Sequence, residues 1–138
     1  MIKICIIDGQ GGGIGATIIK KLREKFGEPL DIIALGTNAI ATSQMLKAKA
    51  NRGASGENAI AQTVKQMDLI IGPIGIVMAN SMMGEVTPKM AEAVTSSSAK
   101  KILLPLSQEN VEIVGTAAIP LPHLIDELIE KYLNNISI

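Results

Sequence analysis

The chain almost lacks aromatic side chains: among 138 residues there is one Phe, one Tyr and no Trp. A core must therefore be filled by Ile, Val, Leu, Met and Ala, which suits strands covered by helices on both faces. Cysteine is equally scarce. The single Cys5 excludes an intrachain disulfide and fits a reducing compartment. Set in an apolar run, it reads as a small buried hydrophobe rather than a nucleophile. Charge of one sign is not in excess: 13 basic residues balance 13 acidic ones. No basic run occurs, which argues against nucleic acid as a partner. No Cys/His cluster has zinc spacing and no acidic loop has calcium spacing, so no metal is expected. No apolar run is long enough to span a membrane and no basic leader precedes the first strand, so a cytoplasmic protein without a membrane partner is expected. What is present is apolar, 47% of all residues. That excludes disorder and suits one domain, residues 1–138, around one core.

The apolar pattern alternates between strand and helix. Ile2 to Ile7 is a β-branched run that stops at Asp8-Gly9 and predicts a buried strand. Ile14, Ile18, Leu22 and Phe26 then recur every fourth residue opposite a basic face, an amphipathic helix ended by Gly27 and Pro29. Asp31 to Leu35 predicts a second strand. Two helical patches follow, about 39–50 and 57–66, with Asn51 to Gly56 as the loop between them. Asp68 to Ile71 predicts a third strand, and the Met-rich IVMANSMMGE over 76–85 a helix. Thr87 and Pro88 fit the cap and first position of another helix. Lys101 to Pro105 and Val111 to Val114 predict strands four and five, before a last helix over 122–134.

Such alternation predicts an α/β fold, a three-layer Rossmann-like open sheet that is mostly parallel. Only Leu106 to Asn110 separates the last two strands. That is too short for a parallel crossover, so strand five is expected as an antiparallel C-terminal hairpin. Strand one is central in both the dinucleotide-binding and the flavodoxin-like strand orders, and the sequence does not choose between them.

Ligands bind such sheets beyond the strand carboxyl ends, where the order reverses. The loop after strand one is glycine-rich: Asp8, Gly9, Gln10, Gly11, Gly12, Gly13, Ile14, Gly15. Glycine permits tight turns and close ligand approach, and free amides at the following helix start favour an anion. Gly11, Gly13 and Ala16 fit the G-x-G-x-x-G/A dinucleotide pattern. Gly9, Gly13 and Gly15 fit the G-x-x-x-G-x-G turn of short-chain dehydrogenases, which this stretch resembles. The competing reading is a turn that only packs helix on strand.

Other features set this chain apart from that dehydrogenase family. Tyr132 has no lysine four residues on, so the Tyr-x-x-x-Lys pair is missing. After strand two, where an acid would bind ribose hydroxyls, stand Gly36, Thr37 and Asn38. Asp8 also opposes a nearby anion. At 5 Å and an effective dielectric near 20 the repulsion is about 3 kcal/mol, against about 0.3–2 kcal/mol from a helix terminus. Asp8 therefore reads either as an acceptor for the turn's own amides or as a contact for a neutral or hydroxyl-bearing ligand group.

Thr37 and Asn38 should share the rim with Gly72, Pro73 and Gly75 after strand three, and with Asn80 and Ser81 beyond. The expectation is a small-molecule ligand, a nucleotide or phosphorylated metabolite. The cofactor is unknown, with a nucleotide or dinucleotide as candidates. A second reading is a small enzyme using Asp8, Glu57, Glu85 or His123 for proton transfer. His123, the only histidine, would then have to cross from the far end of the sheet. A third is a non-catalytic oligomeric or regulatory module, a homodimer buried through Met78, Met82 and Met83.

Almost the whole chain resembles a family of small bacterial proteins known as domain of unknown function 3842. The resemblance rests on IDGQGGGIG, IIALGTNAIATS, GASGENAI, IIGPIGIVMANSMMGE, TPKMAEA, KKILLPL, VEIVG and LPHLIDE, in this order. It implies a bacterial cytosolic origin and supplies no activity.

Overall fold

The computed structural model describes residues 1–106 and 110–134. Five strands form one sheet: β1 (Ile4–Asp8), β2 (Ile32–Gly36), β3 (Arg52–Ser55), β4 (Leu69–Pro73) and β5 (Lys100–Leu104). Their order is β3-β2-β1-β4-β5 and every pairing is parallel. This is the dinucleotide-binding order, in which the chain winds outward from β1 to β3 and then restarts on the other side with β4. The alternative left open by the sequence is thereby decided.

Helices connect the strands: α1 (Gly13–Phe26), α2 (Ala39–Lys47), α3 (Glu57–Thr63), α4 (Pro88–Ser96) and α5 (Leu121–Glu127). Side chains alternate across β1, so Ile4 and Ile6 face one layer while Cys5 and Ile7 face the other. The first layer buries Ile18, Ile19 and Leu22 of α1, Met45 of α2 and Ile125 of α5. The second buries Ile60 of α3 and Met90 and Val94 of α4. All five residues of β1 are buried, as a central strand covered on both faces requires.

Local chemistry explains most boundaries. Asn38 caps α2 by accepting the Ala41 amide at 2.8 Å, and Thr87 caps α4 by accepting the Met90 amide, with Pro88 at the first turn. Gly27 ends α1 at φ +76°. The Arg23 guanidinium then staples the N-terminal side of the sheet. It donates to the carbonyls of Lys49 at 2.9 Å and Gly27 at 3.0 Å and to Asn51 Oδ1 at 2.6 Å.

Three expectations are corrected. No antiparallel fifth strand exists among the described residues: Val111 to Val114 has no sheet partner, and Val114 is 99% exposed. β-branched composition does not make a strand without a neighbouring edge to bond. Part of the short connection behind that expectation, residues 107–109, lies outside the described residues. The loop expected from Asn51 to Gly56 instead contains β3, whose small and polar residues pair with Ile33 to Gly36. Its Gly53 leaves room for α2: a Cβ there would stand 2.8 Å from Thr42 Cγ2. The Met-rich stretch is not a helix either. A 3₁₀ turn over Ile74–Val77 leads into a tight excursion with positive φ at Asn80, Met82, Met83 and Gly84. The Asn80 amide donates to Val86 O at 2.7 Å, closing the excursion at its base. The buried Ser81 hydroxyl donates to Gly75 O and pins it to the end of β4. These bonds, each spanning six residues, take the place of the i→i−4 bonds of a helix despite the helix propensity of Met and Ala.

Among the described residues no helix is long and apolar enough to cross a membrane.

Candidate functional site

A cleft of about 1060 Å³ opens at the carboxyl ends of the strands. One wall is the glycine turn from Asp8 to Ile14, the other the segment from Pro73 to Gly84. The two walls follow β1 and β4, the pair at which the strand order reverses. Pro105 and Leu106 after β5, residues 117–120 and Leu124 of α5 complete the apolar side.

The five glycines of the turn divide by what a methyl group would meet. A Cβ on Gly12 would stand 2.7 Å from the backbone of Ala41, and φ there is +75°. On Gly15 it would stand 2.6 Å from Met45 Sδ and 2.9 Å from Asp8 Cβ. On Gly9 it would stand 2.6 Å from both Thr37 Oγ1 and Met82 Sδ. These three glycines satisfy the scaffold, as the packing-only reading requires. Gly11 and Gly13 differ. A Cβ on either meets nothing within 4 Å, and neither has positive φ. Both line the cleft. Among the described residues nothing accepts a hydrogen bond from either of their amides. Two glycines without a steric reason of their own thus line the opening with amides that no described residue takes up.

Asp8 is 3% exposed. Its Oδ1 accepts the Gly9 amide at 2.8 Å and its Oδ2 the Gly15 amide at 2.7 Å. The carboxylate therefore caps the start of α1 from within. Burial pushes its pKa up. The amides of Gly15, Gly9 and Ile14 oppose that, while the negative charge of Glu85 adds to it, and the balance lies above the ordinary carboxylate value.

Glu85 returns from the excursion after β4 to the loops after β1 and β2. Its Oε1 accepts from Thr37 Oγ1 at 2.7 Å, the Gln10 amide at 2.8 Å and Asn38 Nδ2 at 2.8 Å. Burial acts to raise its pKa, but the Thr37 hydroxyl, the Gln10 amide and the Asn38 amide outweigh it and hold the carboxyl below its ordinary value. Glu85 is an ionised clasp joining three loops.

Asp8 to Ile14, Pro73, Gly75, Asn80 and Ser81 thus meet around one opening. Gly15 is buried beneath it against Met45. Thr37 and Asn38 are not among the lining residues; both donate to Glu85, and Asn38 also donates to the carbonyl of Gln10, which does line the cleft. Gly72 lies under it, where a Cβ would run into the Ile7 carbonyl. Glu57, at the start of α3, and the exposed His123 of α5 are not among the lining residues. The wall formed by Pro105, Leu106 and residues 117–120 is new. These small apolar residues carry no motif, and only the parallel placement of β5 beside β4 brings them to this end. His123 therefore lies on a helix whose start reaches the cleft, not at the opposite end of the sheet.

The strand order and the cleft at its reversal define an α/β domain of Rossmann-like type. The chain belongs to the family described as domain of unknown function DUF3842, whose model matches residues 3–137. No curated protein matches it.

Proposed function

We propose that the protein binds a nucleotide or a similar phosphorylated small metabolite, with an acceptor oxygen of the ligand over Gly11 and Gly13. The observation that carries this reading is the pair of glycines that line the cleft without a steric reason for lacking a side chain and whose amides donate to no described residue. The position at the order reversal supports it. The remaining wall is apolar, suited to a base or another flat organic group.

The charge of the cleft limits the ligand. Among the described residues its lining contains no Lys, Arg or His, and the charged residue there is Asp8. A ligand of low charge, with one phosphate or a diester, fits better than a triphosphate. Proton transfer is the weaker reading: of Asp8, Glu57, Glu85 and His123 only Asp8 lines the cleft, and both its oxygens already accept amides.

A thermal-shift screen of mononucleotides, dinucleotides and sugar phosphates tests the proposal. Ligand at a hundred times its dissociation constant stabilises a fold by about 2.7 kcal/mol, a rise of several degrees. Gly13→Ala should reduce the response while leaving the unliganded protein folded. No response from any of these compounds would overturn the proposal.

A further inference from the structure

An acid is missing after β2, where folds of this order hold a ribose. Thr37 and Asn38 stand there instead, and both give their donors to Glu85, which arrives from the far side of the reversal. The carboxylate is thus delivered to the end of β2 by a different loop. Its Oε1 takes all three donors, which fixes the orientation of the group. Among the described residues nothing donates to its other oxygen, Oε2, and the side chain is partly exposed. Residues on both sides of the clasp line the cleft: Gln10, whose amide it accepts, and Gly84, which precedes it. The excursion that carries it is closed at its base by the Asn80–Val86 bond.

The geometry points to Glu85 as the acceptor for a sugar diol, standing in for the acid that β2 lacks, so that the ligand is a ribose-bearing molecule held at the cleft margin by its vicinal hydroxyls. This rests on the ligand reading above and deepens it. An ionised carboxylate with one oxygen immobilised and the other open accepts hydroxyl hydrogens and gains nothing from a methylene in their place. It repels a phosphate at the same position, so a 2′-phosphorylated ligand is excluded. Thr37 and Asn38 act as positioning residues: they hold Oε1, and Oε2 faces the ligand. Three short bonds on one oxygen make a rearrangement that frees them costly, which argues against Glu85 as a mobile plug.

Isothermal calorimetry on the full chain tests this, with AMP, GMP, CMP and UMP each compared with its 2′-deoxy counterpart. At least one ribonucleotide should bind the wild type roughly tenfold or more tighter than its deoxy form, the value of a hydrogen bond to a charged group. In Glu85→Ala that ratio should fall to about two or less. Glu85→Gln, which keeps an acceptor oxygen but no charge, should give a ratio between the two. Each ratio is taken within one protein, so a change of stability does not alter it. Gly13→Ala should weaken both forms alike and leave the ratio near that of the wild type. Binding without ribo/deoxy discrimination in the wild type, or a ratio that survives Glu85→Ala, would overturn the assignment of Glu85 and leave the glycine cradle standing. No binding by any of the eight compounds would overturn the assignment of Glu85 as a nucleotide ribose acceptor and leave the glycine cradle to the wider thermal-shift screen.

Discussion

The Asp8 carboxylate accepts the Gly15 amide at 2.7 Å across the whole glycine turn. The chain therefore supplies its own anion to the start of α1, the position where this fold often holds a phosphate. A ligand is left with the amides nearer the tip, those of Gly11 and Gly13. In the proposed reading the turn divides a scaffold role and a binding role between different residues, and substitutions should separate them.

Gly13→Ala should be neutral or stabilising by about 0.4–1 kcal/mol, because alanine restricts the unfolded chain and φ at this site is permissive. Gly12→Ala should destabilise by about 1–3 kcal/mol, since it combines positive φ with contact on the Ala41 backbone. Urea denaturation of the two variants checks the contrast. Equal losses in both would mean that the turn is packing alone.

Asp8 and Glu85 should give opposite pH signatures. The folded pKa of Asp8 is raised above its ordinary 3.8, so its stabilising contribution is complete below that value and is lost as pH rises through the folded pKa. The folded pKa of Glu85 lies below its ordinary 4.5, so its contribution is present above that value and is lost as pH falls through the folded pKa. Below its folded pKa Asp8 itself carries a proton, so Asp8→Asn should lie close to the wild type at acid pH. The variant has no ionisation to oppose folding, so its stability relative to the wild type should rise with pH. The cost of Glu85→Gln should shrink as pH falls. Denaturation midpoints across an acid-to-neutral series measure both slopes, and parallel curves would contradict the assignments.

Arg23 joins α1 to the loops before β2 and β3 at the end of the sheet opposite the cleft. Arg23→Lys cannot reproduce its forked contacts and should destabilise by about 1–3 kcal/mol. Ligand affinity should not change. A matching loss of affinity, measured well below the melting temperature, would show the two ends of the sheet to be coupled.

Cys5 lies in the middle layer, and burial pushes its thiol up to about 12. Reaction with a disulfide reagent at neutral pH should therefore require opening of the core and should accelerate with urea in step with unfolding. Rapid labelling of the native protein would contradict this.

Much of the fold was legible because its signals are local. Ile4, Ile6 and Ile7 form an unbroken apolar run, and such a run reads as a buried parallel strand wherever it occurs. Thr87-Pro88 and Gly27 mark helix ends through backbone geometry that neighbours alone decide. β3 was not legible, because Arg52 to Ser55 owes its strand geometry to the exposed edge of β2 and not to its own composition. Val111 to Val114 failed in the reverse way: a strand-like composition found no edge to join. The Met-rich stretch misled because the buried Ser81 and the closure of Asn80 on Val86 act over distances that helix propensity does not register.

The site divides along the same line. The sequence alone determined the glycine turn, its position after a buried strand and before an amphipathic helix, and a carboxylate at its lip, since all of these lie in one continuous stretch ending at Phe26. Only the tertiary structure decided which glycines face the cleft, because the space at Gly12 and Gly15 is filled by Ala41 and Met45 while Gly11 and Gly13 meet open space. It also decided that the acid at the end of β2 is Glu85, which stands 48 residues beyond Thr37 in the chain and 2.7 Å from it in the fold. Parallel strands bring the ends of distant segments to one edge, and no local pattern encodes which side chains meet there.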